Sequence, residues 1–432
     1  MKYYHQHNEQ FKRLADWIDH RVTQGIDLSK ETQAFNSTME KLQKKLERMP
    51  EPKALLEKEP NTLEGIRALR PKGPRRFWET LPLERYRDKL KGAWLGRCAG
   101  CTLGANIEFG SIAEMKYLAE LDGSDFPMTD YPTTVARPLV MHYGLDPAKQ
   151  YSKPHMSHVP ADDDLIYTIL DLLIFQDYGP DFSTEDVGKA WLKYIPYACT
   201  AEYAALENLK KKVPASKTAL LDNPWLEWIG GDIRADGWGY IAPGRPEQAA
   251  EYAFRESYIS HRFSGIYGTM FVAAAISAAF ELDDPEAALL AALTEIPKDC
   301  RTAKAVKWAF SMKKKIKNYQ QARDAVEKKF STMSDIHTDN NLCLTIFGLF
   351  IGGRDFTKVI GETVAMGMDN DCTAATAASI FGAAYGIGSI PEKWYKPFNN
   401  KQRTYIKGHE WFKIDQTLKD FETCAKKAFE RG

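Results

Sequence analysis

Asp369 and Asp371 stand one residue apart in GMDNDCTAATAASIFGAAYG, on a Gly-punctuated turn that leads into a run of mostly Ala, Gly, Ser and Thr. Two carboxylates so close can hold a divalent cation or share acid/base work. Residues two apart on a helix face nearly opposite sides, so this pair converges on one ligand only if DND is a turn entering the helix. A second acidic group, Asp162, Asp163 and Asp164, follows Pro160 in HVPADDDLIYTILDLLIFQDYG, where the pattern predicts a helix start. Acids there cap amides and meet the positive end of the dipole. Three in a row exceed what capping requires, which leaves metal ligation as the other reading. Asn106 and Glu108 end a glycine-rich run; alone, Glu108 reads as a surface acid. His261 precedes an apolar helix, as a cap, a core residue or a ligand would. His337, Asp339, Asn340 and Asn341 open another. Cys98 and Cys101 form a CxxC, but one such pair on a buried helix reads as packed thiols rather than a zinc or redox centre.

The elements that must position these groups are helical. Gly92, Gly96, Gly100 and Gly104 recur every fourth residue, a ridge of missing side chains that lets a second helix come close. The run after Asp371 is equally poor in bulky or charged groups, which predicts a buried central helix. A further small-residue helix starts near Gly265, and Asp283 to Lys329 reads as two or three amphipathic helices with wet Lys-rich faces. Ser111 to Pro160, with Pro127, Pro132, Pro138 and Pro154, reads as a long irregular stretch that covers or lines a site. The tail from Trp394 to Gly432 carries aromatic residues and a final amphipathic helix. No alternating strand pattern and no tandem repeat stands out, so the expected fold is all-α. Residues 1–80 read as charged amphipathic helices followed by Pro-rich connections, MPEPK and LRPKGPRR, an accessory segment for packing or oligomer contacts.

With 432 residues and 44% hydrophobic content the chain can bury a large core, as one large domain with an extension or as two domains. Lys plus Arg and Asp plus Glu both number 58, so no basic excess points to nucleic acid or an acidic membrane. The N-terminus is polar where a secretory signal needs an apolar core, and no run is long enough to span a bilayer, so the expected location is the cytoplasm. Seven scattered cysteines fit reduced thiols better than a disulfide frame. Some of the aromatic residues near Trp238, Tyr240 and Tyr267 could stack a base or sugar, with core packing as the other use.

Independent capping would scatter the polar helix ends; a shared site would collect them at one mouth. The motifs GAWLGRCAGCTLGANIEF, ADDDLIYTILDLL, SHRFSGIYGTMFVAAAISAAF and GMDNDCTAATAASIFGAAYG, in this order, resemble the ADP-ribosylglycohydrolase family of the dinitrogenase-reductase-activating type over about residues 85–400. The resemblance implies a compact, orthogonal multi-helix domain at 83–432 with an N-terminal helical extension at 1–82. It implies one or two Mg²⁺ (or Mn²⁺/Ca²⁺) ions in a cleft, and cleavage of the C1″ bond of a small-molecule or protein-linked ADP-ribosyl or furanosyl substrate. Metal binding is carried over onto Asp162, Asp163, Asp369 and Asp371, with Asp164 added. Catalytic work falls on Glu108, Asp163 and Asp371, and substrate contacts on Asn106, His261, His337, Asn340 and Asn341.

Three positions depart from the family pattern: Ala161 and Cys372 stand where it has Thr, and Cys101 where it has Asp. Hard cations want oxygen ligands, so a site for one ion or a remodelled site is expected. A changed ligand set also keeps two alternatives open: a glycosidase for another furanoside or nucleoside-like compound, and a non-catalytic binding or structural protein on the same scaffold.

Overall fold

The computed structural model describes residues 2–134 and 150–430. The four glycines explain its centre. The helix Leu83–Ala105 carries them, and the helix Asn370–Tyr385 lies directly on them. A Cβ added at Gly96 would sit 2.7 Å from the Ala378 carbonyl oxygen, at Gly100 2.4 Å from that of Ala374, and at Gly104 2.4 Å from Asp371 Cα. Real side chains do not fit such gaps, so the i, i+4 ridge is what allows backbone-to-backbone packing. Both helices are buried along nearly their whole length, and the second small-residue helix, Ser264–Ala279, is buried throughout.

Around this pair stand the helix Asp163–Tyr178 and the helices Thr338–Gly352 and Phe356–Ala365. The Lys-rich stretch forms three helices, Pro285–Ala292, Arg301–Met312 and Tyr319–Lys329. At the N-terminus, Lys2–Thr23 and Ser29–Glu47 are helices, and no residue of the second is buried. The Pro-rich stretch after them is held firmly: buried Glu59 pairs with Arg301 at 2.7 Å, and Arg75 with buried Glu295 at 2.6 Å.

Two expectations are corrected. Ser111 to Pro160 is not irregular throughout, because a helix spans Ile112–Asp122. The Ser111 hydroxyl accepts from Glu114 N at its start, and Gly123 ends it in a left-handed conformation at φ 71°. Pro138 lies outside the described residues. The tail also holds an antiparallel hairpin, Lys401–Ile406 with His409–Lys413. Its strand pattern was invisible because two of its three inward residues, Gln402 and Thr404, are polar; only Ile406 is apolar. Among the described residues no helix is long and apolar enough to cross a membrane.

Candidate active site

Two tight turns meet beside the ridge. Gly367 and Met368 take φ values of 68° and 61°, reversing the chain so that Asp369 occupies the N-cap position and Asp371 the first turn of its helix. Opposite, the Leu83–Ala105 helix ends at Asn106, and Glu108 lies in the turn beyond it. Phe109 N donates to Met368 O at 3.1 Å, and the Asn370 side-chain amide donates to Val364 O at 3.0 Å. The first bond fixes Glu108 against the DND turn. The requirement set by the spacing is met: carboxylate oxygens of Glu108, Asp369 and Asp371 all lie within 4.8 Å of one another.

The third element is the Asp163–Tyr178 helix. Asp162 caps it, accepting from Asp164 N at 3.1 Å. Asp164 is buried beside Arg97, whose guanidinium is 3.5 Å from its carboxylate and donates to its carbonyl at 2.7 Å. The same guanidinium reaches Asp236 at 2.8 Å and Ile233 O at 2.9 Å, so Arg97 pins the start of this helix to the glycine-ridge helix. Ligand atoms of Asp162, Asp163 and Asp164 cluster within 4.8 Å, and so do those of Cys101, Asp162 and Asp371. Asp371 therefore belongs to two groups built from different helices. From the sequence, Cys101 reads as one of two packed thiols and as a position where an oxygen is lost. Its position three residues before Gly104, on the ridge that meets Asp371, was the signal that it faces the site.

Electrostatics follow from crowding. Burial, then Asp371 and Glu108, hold the Asp369 carboxyl well above the usual carboxylate range. Burial, Asp371 and Asp162 push Asp164 the same way, and Arg97 opposes them. A divalent cation relieves that repulsion, and the chemistry of the donors decides which cation. Glu108, Asp369 and Asp371 are an all-oxygen set that suits a hard ion. Asp162, Asp163 and Asp164 are a second all-oxygen set, whereas the group that joins Asp162 to Asp371 contains the Cys101 sulfur, and Ala161 and Cys372 add no side-chain oxygen, so the residues fit hard ions and depart from a symmetric pair.

The hairpin forms a wall next to this mouth. Val159 N donates to Lys401 O at 2.8 Å and Arg403 N to Val159 O at 3.0 Å, just ahead of the aspartates. A cleft of about 310 Å³ is lined there by Ala161, Arg403, Tyr405, Lys407 and Glu410. Tyr405 packs against Tyr197, the rings tilted by 34° with centres 4.6 Å apart.

Not all sequence candidates are brought to this mouth. His261 is fully buried in another cluster, where its Nδ1 is 2.8 Å from Ser260 Oγ and 3.3 Å from the Arg234 guanidinium. Arg234 also faces Glu256 at 3.4 Å and Glu202 at 3.7 Å. Burial and Arg234 drop the His261 pKa well below its ordinary value, so the ring is neutral. His337 caps the Thr338–Gly352 helix, accepting from Asp339 N at 3.1 Å. The side-chain amides of Asn340 and Asn341 donate to Ser334 O and Asp335 O, both at 2.8 Å. These residues organise a helix start. Asn106 is buried at the end of the glycine-ridge helix, next to the Glu108 turn. Trp238, Tyr240 and Tyr267 are fully buried and serve packing, Trp238 stacked on Phe182 at 4.7 Å.

An all-α fold whose helix starts gather carboxylates at one mouth, able to hold divalent ions, defines the class of protein. The particular family follows from the comparisons. A family model described as ADP-ribosylglycohydrolase matches residues 82–421, and the chain belongs to that family. A solved structure described as an "ADP-ribosylglycohydrolase-related protein complex" is 18% identical, with a TM-score of 0.52, over 80% of this chain and 99% of that one. That likeness shows the fold. A search of curated proteins finds no match.

Proposed function

We propose that this chain is a metal-dependent glycohydrolase that cleaves the C1″ bond of an ADP-ribosyl or related ribosyl conjugate with water. Family membership supports hydrolysis of this type. The observation that carries the reading is the meeting of Glu108, Asp369 and Asp371 within 4.8 Å at the end of a buried helix pair. Glu108, Asp162, Asp163, Asp369 and Asp371 would hold the ions; bound there, a divalent cation supplies a grip on the cis-diol of a furanose and stabilises charge on an oxocarbenium-like transition state. Glu108 and Asp163 are the half-buried carboxylates of the set. Each is thus open to substrate, and each can orient water or take its proton as C1″ is attacked. The backbone bond from Phe109 to Met368 keeps Glu108 in register with the pair it serves. Tyr197, Tyr405 and the hairpin wall stand on one side of this mouth. A cytoplasmic location, supported by seven free thiols, belongs to the same proposal. So does a substrate that is neither nucleic acid nor membrane.

A second reading, hydrolysis of another furanoside, is favoured by the loss of oxygen at Cys101, Ala161 and Cys372 around the cleft. Titration calorimetry of the metal-loaded protein with ADP-ribose separates the two, repeated after chelation and with Asp369→Asn. Binding that needs both metal and Asp369 is expected. Hydrolysis of Arg- and Ser-linked ADP-ribose should then fall at least 100-fold in kcat/KM for Asp369→Asn, on the order of the 2.7 kcal/mol lost with a comparable charge-stabilising group. Unchanged metal content and turnover in that variant would sink the assignment. Metal binding without ADP-ribose binding would favour the other furanoside.

A further inference from the structure

We propose that this chain holds two unlike divalent ions: a thiophilic one on Cys101, Asp162 and Asp371, and a hard one on Glu108, Asp369 and Asp371. The inference rests on the metal-dependent reading above and deepens it. In each triad the ligand atoms lie within 4.8 Å of one another, and Asp371 is common to both, as a bridging carboxylate would be. Ligands drawn around one tetrahedral ion stand roughly 3.5 Å apart, so a small side-chain adjustment closes either set.

Two features separate the two halves. The sulfur triad is buried at every member, whereas Glu108 of the oxygen triad is half-buried. The thiophilic ion thus lies deep, and the hard ion lies at the mouth where a diol arrives. Second, no hydrogen bond joins the Cys101 sulfur, 1% exposed, to the described residues; the same holds for buried Cys372 and Cys424, but Cys101 alone of the described cysteines joins a carboxylate group. A buried thiol left without a hydrogen bond among carboxylate oxygens is placed as a ligand is placed. Thiolate favours Zn²⁺ or Co²⁺ over Mg²⁺, which keeps oxygen ligands and water. On binding, the Cys101 S–H bond breaks, its proton leaves to solvent, and the sulfur electron pair makes the bond to the ion; nothing is oxidised or reduced.

The test is a Co²⁺ titration of the metal-free full chain in excess Mg²⁺, followed by absorption spectroscopy. One equivalent of Co²⁺ with a near-ultraviolet sulfur-to-cobalt charge-transfer band is expected. Cys101→Ser should abolish the band and weaken Co²⁺ binding at least tenfold, a modest figure for a direct ligand when supporting groups alone cost 10–100-fold. Mg²⁺ affinity should persist. Cys199→Ser and Cys372→Ser should keep the band. The wild-type spectrum decides the matter even if Cys101→Ser fails to fold. Cobalt bound without the band, displaced completely by Mg²⁺, or tracking Cys199 or Cys372 overturns the proposal. If the band is missing while Mg²⁺-supported, Asp369-dependent hydrolysis persists, the sulfur site alone is wrong. If no divalent ion binds, both readings fall.

Discussion

Around Arg234, buried acids face an arginine; at the mouth formed by Asp162 and Asp371, they face one another. After burial, Arg234 is the largest influence on both Glu202 and Glu256 and stabilises their charged forms. After burial, Asp371 is the largest influence on both Asp369 and Asp164 and destabilises theirs. The first cluster carries its own balancing cation and is finished when the chain folds. The second gathers like charge that a cation from solvent relieves, which is the difference between a structural ion network and a binding site.

The contrast predicts opposite signs for removing a charge. Arg234→Met leaves Glu202 and Glu256 buried without their cation and should cost on the order of 3–5 kcal/mol in urea unfolding. A loss under about 1 kcal/mol would mean that the arginine does not balance them. Next in size is a pH effect. Glu256 is raised from 4.5 to about 7, so in the folded protein it keeps a proton that the unfolded chain has lost. Its contribution is full below pH 4.5 and fades as pH rises to about 7, a span of up to about 3 kcal/mol. Glu256→Gln should flatten the fall of the metal-free protein's stability across that window, and an unchanged slope would assign the fall to other groups.

Gly104→Ala probes what brings the acids together. Its Cβ would meet Asp371 Cα at 2.4 Å, so overpacking of about 1–3 kcal/mol is expected. The thermal shift on adding Mg²⁺ should shrink with it, because Asp371 moves away from Glu108. Retention of the full shift would show that the site tolerates a wider helix spacing. The smallest effect is the most diagnostic. Asp369→Asn should stabilise the metal-free protein by about 1 kcal/mol at alkaline pH, where the raised Asp369 carboxyl is ionised among its acidic neighbours. A destabilised variant would make the two clusters alike.

Much of this site was legible because its residues advertise themselves locally. DND after a Gly-containing turn and DDD after a proline mark helix starts, and the glycine spacing marks a close helix contact. What was not legible depended on partners far along the chain. His261 and Asn341 resemble site residues in type, yet the first is spent on Arg234 and Ser260 and the second on the carbonyls of Asp335 and His337. The hairpin at Lys401–Ile406 was hidden by polar inward residues, and its neighbours come from Val159 and Tyr194.

By itself the sequence determined the helical class, the glycine ridge and the acids that open two helices, because periodicity, caps and turns act over a few residues. Only the tertiary structure decided that Asp371 serves two groups, that Cys101 joins one of them, and that the histidines and asparagines at other helix starts do not. The physical reason is range. Ligation needs atoms within a few ångströms in space, and which distant segments meet is set by backbone packing along Gly92 to Gly104, where the absence of side chains selects one partner helix and one register.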